Sequence, residues 1–238
     1  MDFSRRSYQK ELLDRNDIPF ADIEQNMKEL NFINTWLGGH AITLAGVQDL
    51  LQAHPDAEKE WTVCEIGCGG GDNLKAIYRW CSRKGIRARF IGIDINRQCI
   101  EVAGRQLAGI PCSLIASDYR TVRFAAAKPD ILFSSLFCHH FGDEALISML
   151  QWMQVNARTG FFINDLQRHP LAYYSIRWLT RLFSSSYLVK NDAPLSVKRG
   201  FIRPEWEALL RNSGLQTYSV KWKWAFRYLV TVTTGAAH

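Results

Sequence analysis

The sequence lacks the marks of a membrane-spanning or exported chain. No apolar run in its 238 residues approaches the roughly 20 that a bilayer span needs. The opening Met1-Asp-Phe-Ser-Arg-Arg6 has no apolar stretch behind it, so it does not read as a secretory leader. Six cysteines (Cys64, Cys68, Cys81, Cys99, Cys112 and Cys138) form no Cys-x-x-Cys pair, which removes the usual zinc spacing. Thiols in apolar stretches behave as small hydrophobes, and a reducing cytoplasm is the expected location. Glycine and proline are modest, at 16 and 7 residues, which excludes collagen-like and wholly disordered chains. The basic residues of the last third never run longer than two in a row. Despite a net charge of +6, there is therefore no track for a phosphate backbone, and no nucleic-acid partner is expected.

What is present suits a folded, soluble domain. Hydrophobic residues make up 47% of the chain and include 13 Phe, 8 Tyr and 8 Trp. That is ample for a core, since a domain of this size hides roughly 70% of its unfolded surface. Charge is unevenly spread: residues 1–60 carry 6 basic and 11 acidic side chains, residues 166–238 carry 11 and 3. A basic third of this kind fits a solvated surface, and could also meet an anionic substrate, a membrane surface or nucleic acid.

Periodicity divides the chain. Residues 9–16, 21–36 and 41–53 read as helices; in the second, Ile23, Met27, Leu30, Ile33 and Leu37 share one face, and Gly38-Gly39 ends it. From Trp61 the pattern changes to short apolar strands at 61–66, 88–94, 112–116, 130–134 and 160–164, separated mostly by helical stretches. Such alternation implies a parallel sheet with right-handed crossovers. After a helix at 203–212, the segments 216–224 and 226–233 almost abut, which only an antiparallel hairpin permits. The expected fold is α/β: a doubly wound sheet of five parallel strands finished by an antiparallel hairpin. The expected division is 1–60, an N-terminal helical segment, and 61–238, the main domain, with 166–202 a long insertion in it.

The first strand runs into Glu65-Ile-Gly67-Cys68-Gly69-Gly-Gly71, a loop that lets a ligand approach the backbone. The dinucleotide pattern G-x-G-x-x-G is not met, because Asp72 stands at its third glycine. The loop instead resembles the E/D-x-G-x-G-x-G signature of class I, Rossmann-like S-adenosylmethionine-dependent methyltransferases, whose cofactor is cationic and has no phosphate. The resemblance continues in register. Asp94 ends the second strand, where the family's acidic residue holds the ribose hydroxyls. Ile95 follows, where an apolar side chain packs on adenine. Asp118-Tyr119 follows the third strand, where the adenine amino group is received. The implied cofactor contacts are thus Glu65, Gly67, Cys68, Gly69, Asp94, Ile95, Asp118, Tyr119 and Ser134, with S-adenosyl-L-homocysteine as product and no metal.

The stretch Ser134-Ser-Leu-Phe-Cys-His139-His140-Phe-Gly-Asp143 leaves the fourth strand at the sheet edge where ligands bind. It lacks the N/D-P-P-Y/F motif of amino-methylating relatives that act on DNA or RNA bases. A histidine pair there resembles the small-molecule branch acting on quinone precursors, phenols and sugars, and the overall similarity to polyketide-associated methyltransferases implies polyketide-type acceptors as well. His139 is the expected general base and His140 the packing residue, with Asp165, at the end of the fifth strand, orienting His139. The aromatic side chains Tyr173, Tyr174, Trp178, Phe183 and Tyr187, with Ile176 and Leu179, are expected to meet a small planar acceptor. The resemblance also implies that residues 1–60 form a cap and that the insertion 166–202 forms part of the acceptor pocket. O-methylation is the favoured reading, with C-methylation of a quinone-like precursor and, behind it, an RNA-directed methyltransferase as the alternatives, and no stable membrane insertion is expected.

Overall fold

The computed structural model describes residues 2–15, 17–56, 58–124 and 127–234. Its elements follow the apolar periodicities closely. Helices α1 (Phe20–Trp36) and α2 (Gly39–Ala53) precede strand β1 (Trp61–Ile66). Then come α3 (Asp72–Lys84), β2 (Ala88–Asp94), α4 (Arg97–Gln106), β3 (Cys112–Ala116) and β4 (Ile131–Ser135). Next are α5 (Asp143–Asn156), β5 (Gly160–Leu166), α6 (Pro170–Phe183), α7 (Tyr187–Arg199) and α8 (Arg203–Asn212). The hairpin β6 (Tyr218–Lys223) and β7 (Arg227–Thr233) ends the series. Local chemistry sets several boundaries. Asn96 caps α4 by accepting from the Gln98 and Cys99 amides, and Gly85 closes α3 at φ +68°.

The sheet order is β3-β2-β1-β4-β5-β7-β6. The first five strands are parallel, and β7 runs antiparallel between β5 and β6. Two apolar layers cover the sheet. One contains Leu146, Met149, Trp206 and Phe201; the other contains Val47, Leu50, Leu74 and Phe162.

Two expectations change here. The helix expected at 9–16 is a single 3-10 turn, Leu12–Asp14. The reason is remote: the Asp192 carboxylate on α7 accepts from the Leu12 and Leu13 amides at 2.8 and 2.9 Å. The segment is thereby tied to α7. Within residues 1–60, α2 is part of the core layer, with Val47 and Leu50 fully buried against the sheet, while α1 covers the sheet's C-terminal edge.

Candidate active site

A cavity of about 1350 Å³ opens at the C-terminal edge of the parallel strands, roofed by α1 and bounded by α6, α7 and the β6–β7 turn. One part of its wall is the glycine loop. Gly67, Gly69 and Gly71 take φ of +69°, +50° and +81°, and a Cβ on Gly67 would sit 2.3 Å from the Phe137 ring. Only glycine meets both demands at position 67. Gly69 donates its amide to Asp94 Oδ2 at 2.9 Å, and Asn96 donates to Oδ1 at 2.8 Å. Each Asp94 oxygen keeps a lone pair free, and burial pushes the carboxyl up against those two bonds.

Glu65 is buried at the foot of the loop. Its Oε1 accepts from Asn73 Nδ2 at 2.8 Å, while Oε2 has no partner among the described residues. Burial pushes this carboxyl well above the usual range, aided by Asp72 and Asp94. A cation arriving beside Oε2 would relieve both the missing bond and the missing counter-charge. That is the fit test for a ligand with a cationic head, and the residues pass it.

The other residues expected at the cofactor distribute unevenly. Ile95 stands 72% exposed on the cavity wall. Cys68 lines the wall and is buried, its amide donating to Ile93 O at 3.1 Å. Asp118 lines it too, but its carboxylate accepts from Arg120 Nε at 3.0 Å, and that bond holds it below the usual range. Tyr119 turns its ring against Trp152, edge-on at 5.2 Å. Ser134 lies outside the wall: fully buried, its hydroxyl meets Cys138 Sγ at 3.3 Å. Strand alternation puts the next residue, Ser135, on the wall instead, beside Leu136 at φ +54°.

Another part of the cavity wall holds the titratable cluster. His139 is 3% exposed, and its Nδ1 lies 2.7 Å from Asp165 Oδ1. Its Nε2 faces Glu11 Oε1 at 3.6 Å, and His140 Nε2 faces Glu11 Oε2 at 3.7 Å. Burial alone would lower the His139 pKa, but Asp165 and Glu11 outweigh it and raise it to about 9. Glu11 and Asp165 are both held below the usual range, burial being outweighed by the histidines. Arg199 pins the turn from behind by donating to the carbonyls of His139, His140 and Gln9.

Here too the placement differs from expectation. His140 lines the cavity with His139 and is the more open of the two; Phe141 packs on Phe137 without carrying His140 inward. Glu11, His139 and His140 bring ligand atoms within 4.8 Å of one another, a donor set of the right chemistry for a transition ion. Ser196 already donates to Glu11 Oε1 at 2.7 Å, and the same atoms also serve as an ion pair.

The insertion contributes Ile176 and Leu179 to the wall, not its aromatic rings. Helical spacing puts Tyr174 and Trp178 on the outer face of α6, at 46% and 65% exposure, while Tyr173 packs on Phe3. Glu11, Asn73 and Arg227 also line the cavity and were not singled out in the sequence. Arg227 had a readable signal: it is the lone charge in the apolar run Phe226–Val232.

Comparisons with known proteins agree with this geometry. Residues 63–160 match a family model described as "Methyltransferase domain". The mitochondrial ubiquinone biosynthesis O-methyltransferase of Saccharomyces cerevisiae is 23% identical over 147 residues, covering 60% of this chain and 44% of that protein. The chain therefore spans under half of that relative. Among solved structures, the plantazolicin methyltransferase BpumL in complex with S-adenosylhomocysteine superposes with a TM-score of 0.66 at 15% identity. That match covers 93% of this chain and 91% of the other. Magnesium protoporphyrin IX methyltransferase from Synechocystis PCC 6803, also with bound S-adenosylhomocysteine, gives 0.56 at 13% identity, covering 93% and 90%. These last two likenesses concern the fold. Glycine loop, strand order and family match together establish that the chain carries a class I, Rossmann-like S-adenosylmethionine-dependent methyltransferase domain.

Proposed function

We propose that the protein methylates an oxygen of a small aromatic, phenolic or polyketide-type acceptor, with His139 receiving the acceptor's proton. The observation that carries this reading is the His139–Asp165 contact at 2.7 Å, buried on the wall of the cavity that the glycine loop opens. The O-methyltransferase among the relatives supports it, as does the absence from this sequence of the amino-methylating motif. Bound S-adenosylmethionine supplies an electrophilic methyl group on a sulfonium, with a neutral thioether as leaving group. Glu65 and Asp94 would hold its ammonium and ribose. Asp165 fixes the Nδ1–H tautomer of His139, so that Nε2 faces the cavity and takes the hydroxyl proton as the oxygen–carbon bond forms. Alignment of the two reactants supplies a large share of the acceleration.

The raised pKa of His139 changes the expected pH dependence. A sequence reading alone places the ionisation near an ordinary imidazole value of about 6.5. Between two carboxylates, the ring is still charged at neutrality, so turnover should rise with pH through about 9. The sign for stability is opposite. The imidazolium contacts stabilise the fold fully below the ordinary value and are lost as pH rises through about 9.

The test uses a panel of phenols (catechol, resorcinol, orcinol) with deuteromethyl-labelled S-adenosylmethionine. NMR of the product separates an aryl methyl ether from a ring-methylated product, the latter being the C-methylation alternative. His139→Ala should slow single-turnover transfer by roughly 10²–10⁴-fold with S-adenosylhomocysteine affinity unchanged. A variant at near wild-type rate would remove His139 from the chemistry.

A further inference from the structure

Arg227 opens β7 beside the end of β5 and is 3% exposed. Among the described residues, neither its Nε nor its Nη1 has a hydrogen-bond partner. A buried guanidinium is normally paired, because an uncompensated charge in the interior costs several kcal/mol. The carboxylate that most influences it, Asp165, already bonds His139. What Nη1 does approach is the first turn of α2: it lies 3.0 Å from where a Cβ on Gly39 would sit. That turn has no side-chain cap, since its N-cap is Gly38 at φ +73°. A 15-residue helix therefore presents free amides and the positive end of its dipole to the same spot. Asn34 Oδ1, also unpartnered, borders it; a neutral amide could satisfy one N–H but would leave the charge unbalanced. Arg227 lines the cavity, and so does Trp224 on the adjoining turn.

We propose that Arg227 and the first turn of α2 form a carboxylate-binding subsite in this cavity. The carboxylate belongs either to the amino-acid head of the cofactor or to the acceptor. Glu65 Oε2 bears on the first source: it leaves a place for a cation on the same cavity wall, and a zwitterionic head carries both charges. The apolar wall of Ile176, Leu179 and Phe226 bears on the second, since it suits an acceptor with a greasy body and an anionic end. In either form the proposal rests on the cavity being the methyl-transfer site.

The experiment separates the two sources and separates both from that reading. Calorimetry of the wild type and Arg227→Met would compare S-adenosylhomocysteine with methylthioadenosine, which has the same nucleoside and thioether but no amino-acid head. On the protein saturated with S-adenosylhomocysteine, 2-naphthoate would be compared with its neutral isostere 2-naphthamide. If the cofactor is the source, Arg227→Met weakens S-adenosylhomocysteine roughly tenfold or more and leaves methylthioadenosine unchanged. If the acceptor is the source, wild type prefers naphthoate by a similar factor and the variant loses that preference. Unchanged affinities in both arms overturn the subsite. Failure of the wild type to bind S-adenosylhomocysteine overturns the methyl-transfer reading alone; naphthoate against naphthamide on the free protein then decides the subsite. Removing an unpaired charge should not lower the melting temperature. If Arg227→Met nevertheless fails to fold, Arg227→Lys replaces it, and the wild-type naphthoate comparison still decides the acceptor arm.

Discussion

Two regions of the cavity wall are built in different ways. The glycine-loop region comes from residues 65–72 and 94–96, and its defining bonds join near neighbours, such as Asp94 to the Gly69 and Asn96 amides. The histidine cluster takes Glu11 from before the first helix and His139 and Asp165 from the middle, and Arg227 joins the cavity from β7. One region is a local motif whose geometry follows from backbone conformation. The other is a meeting of charges that only tertiary folding brings together. The contacts proposed for the cofactor's ribose are thus written in adjacent residues, while the other groups proposed to hold or activate a ligand are dispersed.

That contrast can be broken in measurable ways. The largest effect is expected in the dispersed region. Asp165→Asn keeps the shape but removes one of two carboxylates, and should lower turnover by roughly 10²-fold or more. It should also shift the pH rise from about 9 back toward the ordinary imidazole value, with S-adenosylhomocysteine affinity unaltered. An affinity loss as large as the rate loss would show that the two regions are one unit. In the local region, Asp94→Ala should weaken S-adenosylhomocysteine by tenfold or more, a charge-assisted bond contributing roughly 1.5–3 kcal/mol. Here the pH profile of turnover should stay in place, and a displaced profile would deny the separation. Gly67→Ala should act least on chemistry and mostly on stability. The left-handed backbone costs about 1–2 kcal/mol for an alanine, and the Phe137 ring must also give way. A fall in melting temperature of roughly 2–8 °C would match; no fall would mean that the loop accommodates a side chain.

The same contrast explains what could be read in advance. The five parallel strands, the hairpin and the glycine loop were legible because apolar period and turn chemistry act over a few residues. Asp165 and His139 were legible as a pair because both lie at strand ends on one edge of the sheet. Residues 9–16 misled because the competitor for their amides, Asp192, lies far along the chain. The aromatic density of 173–187 misled for a simpler reason: composition does not say which face of a helix is turned inward. Ser134 was displaced by one position, which in a strand is the difference between two faces. Glu11 offered no local signal. Arg227 offered one, a solitary charge in an apolar strand, but no indication of what it would face.

The position of β7 has a consequence for how the protein is made. Among the described residues it is the last strand in sequence, yet it occupies an inner place in the sheet, and β6 pairs with the sheet through it alone. A chain emerging from the ribosome therefore completes the glycine loop early but keeps the edge of β5, with Asn164 and Asp165, unpaired until β7 has been synthesised. An open edge of this kind invites pairing with other chains. The hairpin of β6 and β7 must close before or as it docks, and Arg227 arrives with it. Competence to bind thus appears once the hairpin has docked, which makes ligand-dependent resistance to proteolysis a direct report of that docking.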